Sequence, residues 1–341
     1  MADVYNRSRR SFFTQCLASA VAWGTGAALG APAQPAPGPK SRVVVARDPD
    51  LRGGSAAIDA NRLEALLDGA MIALFGGAHA EESSKQSVLA AWRRIAGRDD
   101  KVGLKVNTLG GRGISTHVDL VAVVCDRLQQ AGVPAANILV WDRDTEEMER
   151  GGFRIAIGGN RVQCYGTDRV GYEDDLSVWR SVGSRLSKNL ARSSAVLINL
   201  PVLKDHDGAG VTIALKNMYG AIHNPNKYHP NGCDPYVADL NMLPEIRSRL
   251  KLVICDATTA MYEGGPAFKP EHSWNANSVI VSEDPVALDW TGWQMIERKR
   301  AEMGLKTLEA EKRAPHYIAT AADSDHRLGH DQAGQIAVME A

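Results

Sequence analysis

Lys204, Asp205, His206, Asp207, Lys216, Asn217, His223, Lys227, His229 and Cys233 all fall between Leu200 and Asp234, a stretch punctuated by Gly208, Gly210, Gly220 and Gly232. No other window of the chain gathers as many side chains able to hold charge, move a proton or ligate a metal. A desolvated lysine can fix a carboxylate or phosphate as a point charge, or serve as a base, so Lys204 and Lys216 are candidates for holding an anion. His206, with Asp205 and Asp207 beside it to tune the imidazole, is a candidate general acid or base. His223, His229 and Cys233 are donors suited to zinc, copper, nickel or iron. Their spacing matches no compact zinc motif, and the prolines among them imply a loop rather than one helical face. Gly208 and Gly210 follow a strand pattern and precede a helix expected to begin near Val211. Backbone N–H groups at such a place can approach an anion. The third glycine of a dinucleotide fingerprint and the Lys-Ser/Thr ending of a P-loop are both missing.

These residues need a scaffold, and the rest of the chain supplies one. Short apolar, β-branched runs at 42–46, 102–106, 138–141, 161–165, 195–200, 252–255 and 278–281 predict strands. Amphipathic patterns at 59–75, 84–95, 118–131, 236–250 and 285–303 predict helices. Strand and helix in alternation predict an α/β fold, a mainly parallel sheet flanked by helices on both faces. In such sheets ligands gather at the carboxyl ends of the strands. That edge would collect Lys105 and Asn107 after the second strand, Asp142 after the third, Lys204 and His206 after the strand ending at Leu200, and Asp256 after the strand at 252–255. Asp256 is there a candidate catalytic carboxylate, orienting a base or a metal. Thr116 and Asp119 have capping-box spacing, which would leave His117 beside the same edge. Asp284-Pro285 reads as an N-cap followed by proline in the first helical position.

In order along the chain, Lys105-Val106-Asn107, Thr116-His117 with Asp119-Leu120-Val121, Ile198 to Lys204 with His206, Gly210 to Asn217 with Tyr219-Gly220, Ala238 to Asn241, Gly264-Gly265-Pro266 and Asp284 to Asp289 resemble the domain of unknown function 362 family. The resemblance runs from about Lys101 to Met295. It implies a shared site that includes Lys105, Asn107, His117, Lys204, His206, Lys216 and Asn217, and leaves the His223 to Cys233 loop outside the matched parts. Some members carry an appended iron-sulfur module. This chain has no clustered cysteines to hold one.

The N-terminus, Arg7-Ser8-Arg9-Arg10-Ser11-Phe12-Phe13 followed by a glycine-broken apolar run from Cys16 to Ala31, reads as a twin-arginine export leader. The run is too short and too broken for a permanent membrane span. Residues 1–36 are thus expected to be signal peptide and linker, with the twin-arginine translocation machinery as a partner and the periplasm as destination. Residues 42–341 would form a single α/β domain, with a candidate small insertion at 143–190. The formal net charge of −1 is spread without a basic stripe, which argues against nucleic acid as a partner. Cys125, Cys164, Cys233 and Cys255 form no CxxC pair, no CxxCH haem signature and no ferredoxin spacing, so no iron-sulfur or c-type haem motif is present. The cofactor is unspecified, and a metal ion stays open through the histidine and cysteine set. The residues point to a cofactor- or metal-assisted enzyme acting on a small anionic substrate. The alternatives are a periplasmic metal- or metabolite-binding protein without catalysis and an assembly factor for another exported enzyme.

Overall fold

The buried runs pair into one large sheet. The computed structural model describes residues 39–76 and 85–341, so the expected leader and linker lie outside the described residues. The strands are β1 (Ser41–Arg47), β2 (Val102–Lys105), β3 (Ile138–Trp141), β4 (Gln163–Cys164), β5 (Ser177–Trp179), β6 (Val182–Ser184), β7 (Val196–Asn199), β8 (Val202–His206), β9 (Gly210–Thr212), β10 (Leu250–Met261), β11 (Ser273–Trp274), β12 (Ser278–Ser282) and β13 (Ile336–Glu340). Eleven of them form a mixed, mostly parallel sheet in the order β13-β1-β12-β10-β7-β2-β3-β4, with β11 and β8 pairing to β10 and β9 to β8. β5 and β6 form a separate hairpin within the stretch expected to be an insertion.

β2, β3 and β7 are buried at every position, as strands covered on both faces must be. Successive side chains alternate between two apolar layers. Leu139, Leu197 and Val253 pack with Ala214, Leu240 and Val286 from the helices Ala214–Asn217, Tyr236–Asn241 and Pro285–Glu302. Val140, Ile198 and Ile254 pack with Leu67, Trp92 and Leu128 from the helices Ala60–Phe75, Lys85–Arg93 and Val118–Ala131. Each fully buried Leu, Ile or Val in these layers contributes roughly 1.5–3 kcal/mol relative to exposure. The α/β fold with helices on both faces is as the pattern of runs predicts.

Local differences have local causes. The helix expected near Val211 is instead β9, which turns back on β8 as an antiparallel hairpin, and the helix starts only at Ala214. Gly210 adopts φ +76°, and a Cβ there would lie 2.3 Å from the Arg313 carbonyl oxygen. The hairpin therefore needs glycine at that position for its backbone. The helix expected over 236–250 breaks into Tyr236–Asn241 and Pro244–Arg247, because Pro244 carries no N–H and disfavours helix at the residue before it. β10 runs on from the expected 252–255 to Met261, so Asp256 lies mid-strand and does not close one. Polar Asp256, Thr258 and Thr259 mask that continuation. The helix Val118–Ala131 is capped by His117, whose Nδ1 accepts from the Asp119 N–H; Thr116 has another task. Asp284 caps Pro285–Glu302 as expected, accepting from the Val286 and Ala287 N–H groups.

One buried polar knot ties the C-terminal segment to this frame. The His326 ring lies between Asp239 Oδ1 (2.9 Å) and Asp323 Oδ1 (2.8 Å), and Asp239 also accepts from Ser181. Burial pulls the imidazole pKa down, but the bonds to Asp239 and Asp323 outweigh it and leave the value above the usual 6.5. A raised folded-state value means the native protein binds more protons than the unfolded chain just above pH 6.5. The contribution is thus fully present below that pH and is lost as pH rises through the folded value. Melting temperatures followed from about pH 6 to about pH 8 should show the gap between the native protein and His326→Asn narrowing with pH. A constant gap would contradict the charged reading of His326.

Candidate functional site

The register of the parallel strands assembles the site. Lys105 at the end of β2 stands beside Trp141 at the end of β3 and Asn199 at the end of β7. Asn107 and Asp142 follow immediately. On the β8–β9 hairpin, Lys204 and His206 share a face by strand alternation, and Thr212 sits directly across from Lys204. The helix Ala214–Asn217 then delivers Lys216 and Asn217, and the chain beyond it brings Tyr219, Gly220 and His229. Together they line a cavity of about 300 Å³. That is at the small end of the range for ligand sites.

A chain of amides fixes the floor. Asn217 Oδ1 accepts from Asn107 Nδ2 (3.0 Å) and Lys105 Nζ (3.3 Å), and its Nδ2 donates to Asn199 Oδ1 (2.7 Å). Lys105 Nζ also donates to Asp142 Oδ1 (2.7 Å) and to the Val106 carbonyl (2.7 Å). Asp142 Oδ2 accepts from the Thr108 N–H and hydroxyl. Burial lowers the Lys105 pKa against the opposing pull of Asp142. Lys105 is thus a fully committed structural cation.

The other two lysines are not committed in this way. Lys204 Nζ donates to Asn107 Oδ1 (2.9 Å) and lies 3.4 Å from the Pro266 carbonyl. Lys216 Nζ lies 3.4 Å from His229 Nε2 and 4.7 Å from the centre of the Tyr219 ring. Among the described residues neither meets a carboxylate within ion-pair distance, although both are buried. Burial pushes each ammonium down to about 8, and for Lys204 the opposing attraction of Asp142 does not restore it. Thr212 Oγ1, also buried, has no hydrogen-bond partner in the cavity wall.

Burial, with Lys216 adding to it, lowers the pKa of both imidazoles of the cavity. His206 Nδ1 accepts from the Gly208 N–H (3.0 Å), which leaves the proton on Nε2. Burial, then the charges of Lys216 and its neighbours, hold its pKa far below the usual imidazole range. His229 Nδ1 donates to the Pro225 carbonyl (3.1 Å), so its Nε2 faces Lys216 as an acceptor. The two rings are stacked with centres 5.9 Å apart.

Of the residues expected at the site, Lys105, Asn107, Lys204, His206, Lys216, Asn217 and His229 line the cavity. Gly208 and Gly210 do not. The Gly208 N–H is spent on His206, and Gly210 packs against Arg313, so the expected anion cradle before a helix is absent. Asp256 is off the cavity as well: its carboxylate accepts from the His117 N–H (2.6 Å) and from the Thr258 N–H and hydroxyl. His117 itself caps its helix. The metal set does not converge, because His223 is exposed against Tyr172, and Cys233 is buried with its thiol pushed up by that burial. Among the described residues no three His, Cys, Asp or Glu side chains meet as a metal-holding group.

Several positioning residues escaped the sequence-based choice. Asp289 accepts from the Ala214 (2.6 Å) and Leu215 (3.1 Å) N–H groups, and Asn241 Nδ2 donates to the Leu215 carbonyl (2.9 Å). Between them they fix the helix that carries Lys216 and Asn217. Thr116 Oγ1 accepts from the Asn107 N–H and donates to the Leu200 carbonyl, joining the loop after β2 to β7. The motif residues that touch no cavity hold those that do.

This ordering of motifs is matched as a whole. The model of the family described as domain of unknown function (DUF362) covers residues 102–294. The chain belongs to the DUF362 family. No curated protein matches it. The DUF362 region contains every cavity residue, while β1, β13 and Arg313, which donates to Asp205, lie outside it.

Gly220 lies within the matched region, and its requirement is steric. A Cβ there would lie 2.7 Å from Lys105 Nζ and 2.8 Å from Asp142 Oδ1. Gly220→Ala is expected to lower stability by about 1–3 kcal/mol, the range for overpacking a filled site. Urea unfolding measures it, and an unchanged midpoint would show that the ion pair yields without cost.

Proposed function

We propose that the chain is an exported enzyme acting on a small anionic substrate, with the anion held between Lys204 and Lys216. The observation that carries this reading is the pair of buried ammonium groups with no carboxylate partner among the described residues. Buried charge is unfavourable unless paired, and a carboxylate or phosphate entering the cavity would pair both. Neutral His206 presents Nε2–H as a donor to the substrate oxygen, a role that an imidazole kept unprotonated can fill. Lys216, poised near neutrality beside His229, takes the proton-moving role that the sequence suggested for His206. Export to the periplasm by the twin-arginine machinery rests on Arg9-Arg10 and the apolar run after Phe13.

Thermal unfolding in the presence of inorganic phosphate or acetate, against chloride at equal ionic strength, tests the site. Saturating phosphate should stabilise the protein, by about 2.7 kcal/mol at a hundredfold excess over Kd. Binding requires the ammonium forms, so the affinity should weaken as pH rises through about 8. Absence of any phosphate- or acetate-specific shift would overturn the reading.

A further inference from the structure

The three cavity lysines are tied to very different degrees, and the least tied has a base beside it. Lys105 Nζ has three oxygen acceptors and Lys204 Nζ has two, whereas among the described residues Lys216 Nζ meets the His229 Nε2 lone pair and the face of Tyr219, with the Cys233 thiol close enough to favour its charged form. The tautomer of His229 is set by its bond to the Pro225 carbonyl, so the atom facing Lys216 is the basic one. The cavity wall also holds a hydrogen-bond donor, His206 Nε2–H, and the Thr212 hydroxyl, which has no partner among the described residues. A second ammonium, Lys204, remains for a carboxylate.

We propose that Lys216 is an amine nucleophile that forms an imine with the carbonyl carbon of a small 2-oxo carboxylate, whose carboxylate rests on Lys204. The inference rests on the anion-binding reading and names its substrate class. Burial supports it by keeping part of the Lys216 population unprotonated at neutral pH. In the first step the Lys216 ammonium gives a proton to His229 Nε2. The freed lone pair forms the C–N bond while the carbonyl π pair moves to oxygen, which His206 Nε2–H and the Thr212 hydroxyl stabilise. A proton passes from nitrogen to that oxygen, giving the carbinolamine. His229 then returns its proton to the hydroxyl, which leaves as water as the nitrogen lone pair closes the C=N bond. One ammonium and one carbonyl compound become one iminium ion and one water. No redox partner is needed.

The test uses the full chain with pyruvate as the probe and cyanoborohydride to reduce any iminium to a stable secondary amine. Proteolysis and mass spectrometry should then find pyruvic acid less one oxygen atom attached at Lys216. Exposed lysines such as Lys85 and Lys312 in the same digest serve as internal controls. His229→Asn should slow trapping by about 10²-fold, the lower range for a lost acid–base group. Lys216→Arg should abolish the adduct. A phosphate-induced thermal shift without a Lys216 adduct would overturn this inference and leave the anion site standing. Labelling of exposed lysines as fast as Lys216, or labelling that persists at full rate in His229→Asn, would also overturn it. With neither shift nor adduct, both readings fall.

Discussion

Asp142→Ala is expected to be among the most destabilising single substitutions in the cavity wall, at about 3–5 kcal/mol, because it strands Lys105 as a buried, uncompensated cation. The Lys105 ammonium is almost wholly removed from solvent, and among the described residues Asp142 is the one carboxylate it meets, at 2.7 Å. The same carboxylate also satisfies the Thr108 N–H and hydroxyl and the Arg143 N–H, so its loss leaves several donors unmet. The Thr108 groups have little access to water to replace it. Chemical denaturation measures the loss. Asp142→Ala combined with Lys105→Met should recover a substantial part of it, since the stranded charge is then gone. A double variant no more stable than Asp142→Ala alone would show that the Thr108 and Arg143 contacts, and not the Lys105 charge, carry the energy. The prediction separates Lys105 from Lys204 and Lys216, which meet no carboxylate among the described residues.

That distinction marks where the sequence stopped being informative. Lys105, Asn107, Lys204, His206, Lys216 and Asn217 were legible because strand ends in an α/β sheet converge on one edge, and because few solvated loops carry such a density of polar groups. The α/β class followed from the alternation of short apolar runs, such as those ending at Lys105 and Asn199, with helical patterns. What the sequence hid was mostly pairing. Gly208-Ala209-Gly210 has the composition of a loop entering a helix, and only the opposition of Lys204 to Thr212 reveals a hairpin. Thr212 therefore looked like a helical residue, when it is an unpartnered hydroxyl in the cavity. Asp256 looked like a strand-end carboxylate because the following threonines broke the apolar run, yet it serves the backbone of His117 and its own neighbour Thr258. Asp289 and Asn241 lie far along the chain from the helix they fix. Their role is a matter of tertiary distance, which no spacing rule encodes. Of the three metal-donor candidates His223, His229 and Cys233, only the His229 ring lines the cavity. His223 is exposed and Cys233 is buried, so neither joins it there.

Replacing Lys204 by Met should move stability and anion affinity in opposite directions, which few structural lysines would do. The Lys204 ammonium is buried with an amide and a carbonyl oxygen as its hydrogen-bond partners among the described residues, so an apolar side chain of similar volume removes a desolvation penalty. The variant should unfold no more easily than the native protein. Its affinity for phosphate or a small carboxylate should fall by about 10–150-fold, the equivalent of one charge-assisted hydrogen bond at about 1.5–3 kcal/mol. Lys204→Met with Lys216→Met should bind no anion measurably. The pH dependence gives an independent check. Lys204 and Lys216 are lowered from the ordinary 10.5 to about 8. Between those values the unfolded chain binds more protons than the native one, so these groups make stability rise with pH across that window. Below it they are charged in both states and the penalty is fully present. The stability difference between the native protein and the double variant should therefore shrink as pH climbs from about 8 toward 10.5. A bound anion pairs the ammonium groups and raises their values, so saturating phosphate should flatten the same slope. A double variant that loses stability and keeps its anion affinity would show that the two lysines serve the fold, and the anion reading of the cavity would have to be abandoned.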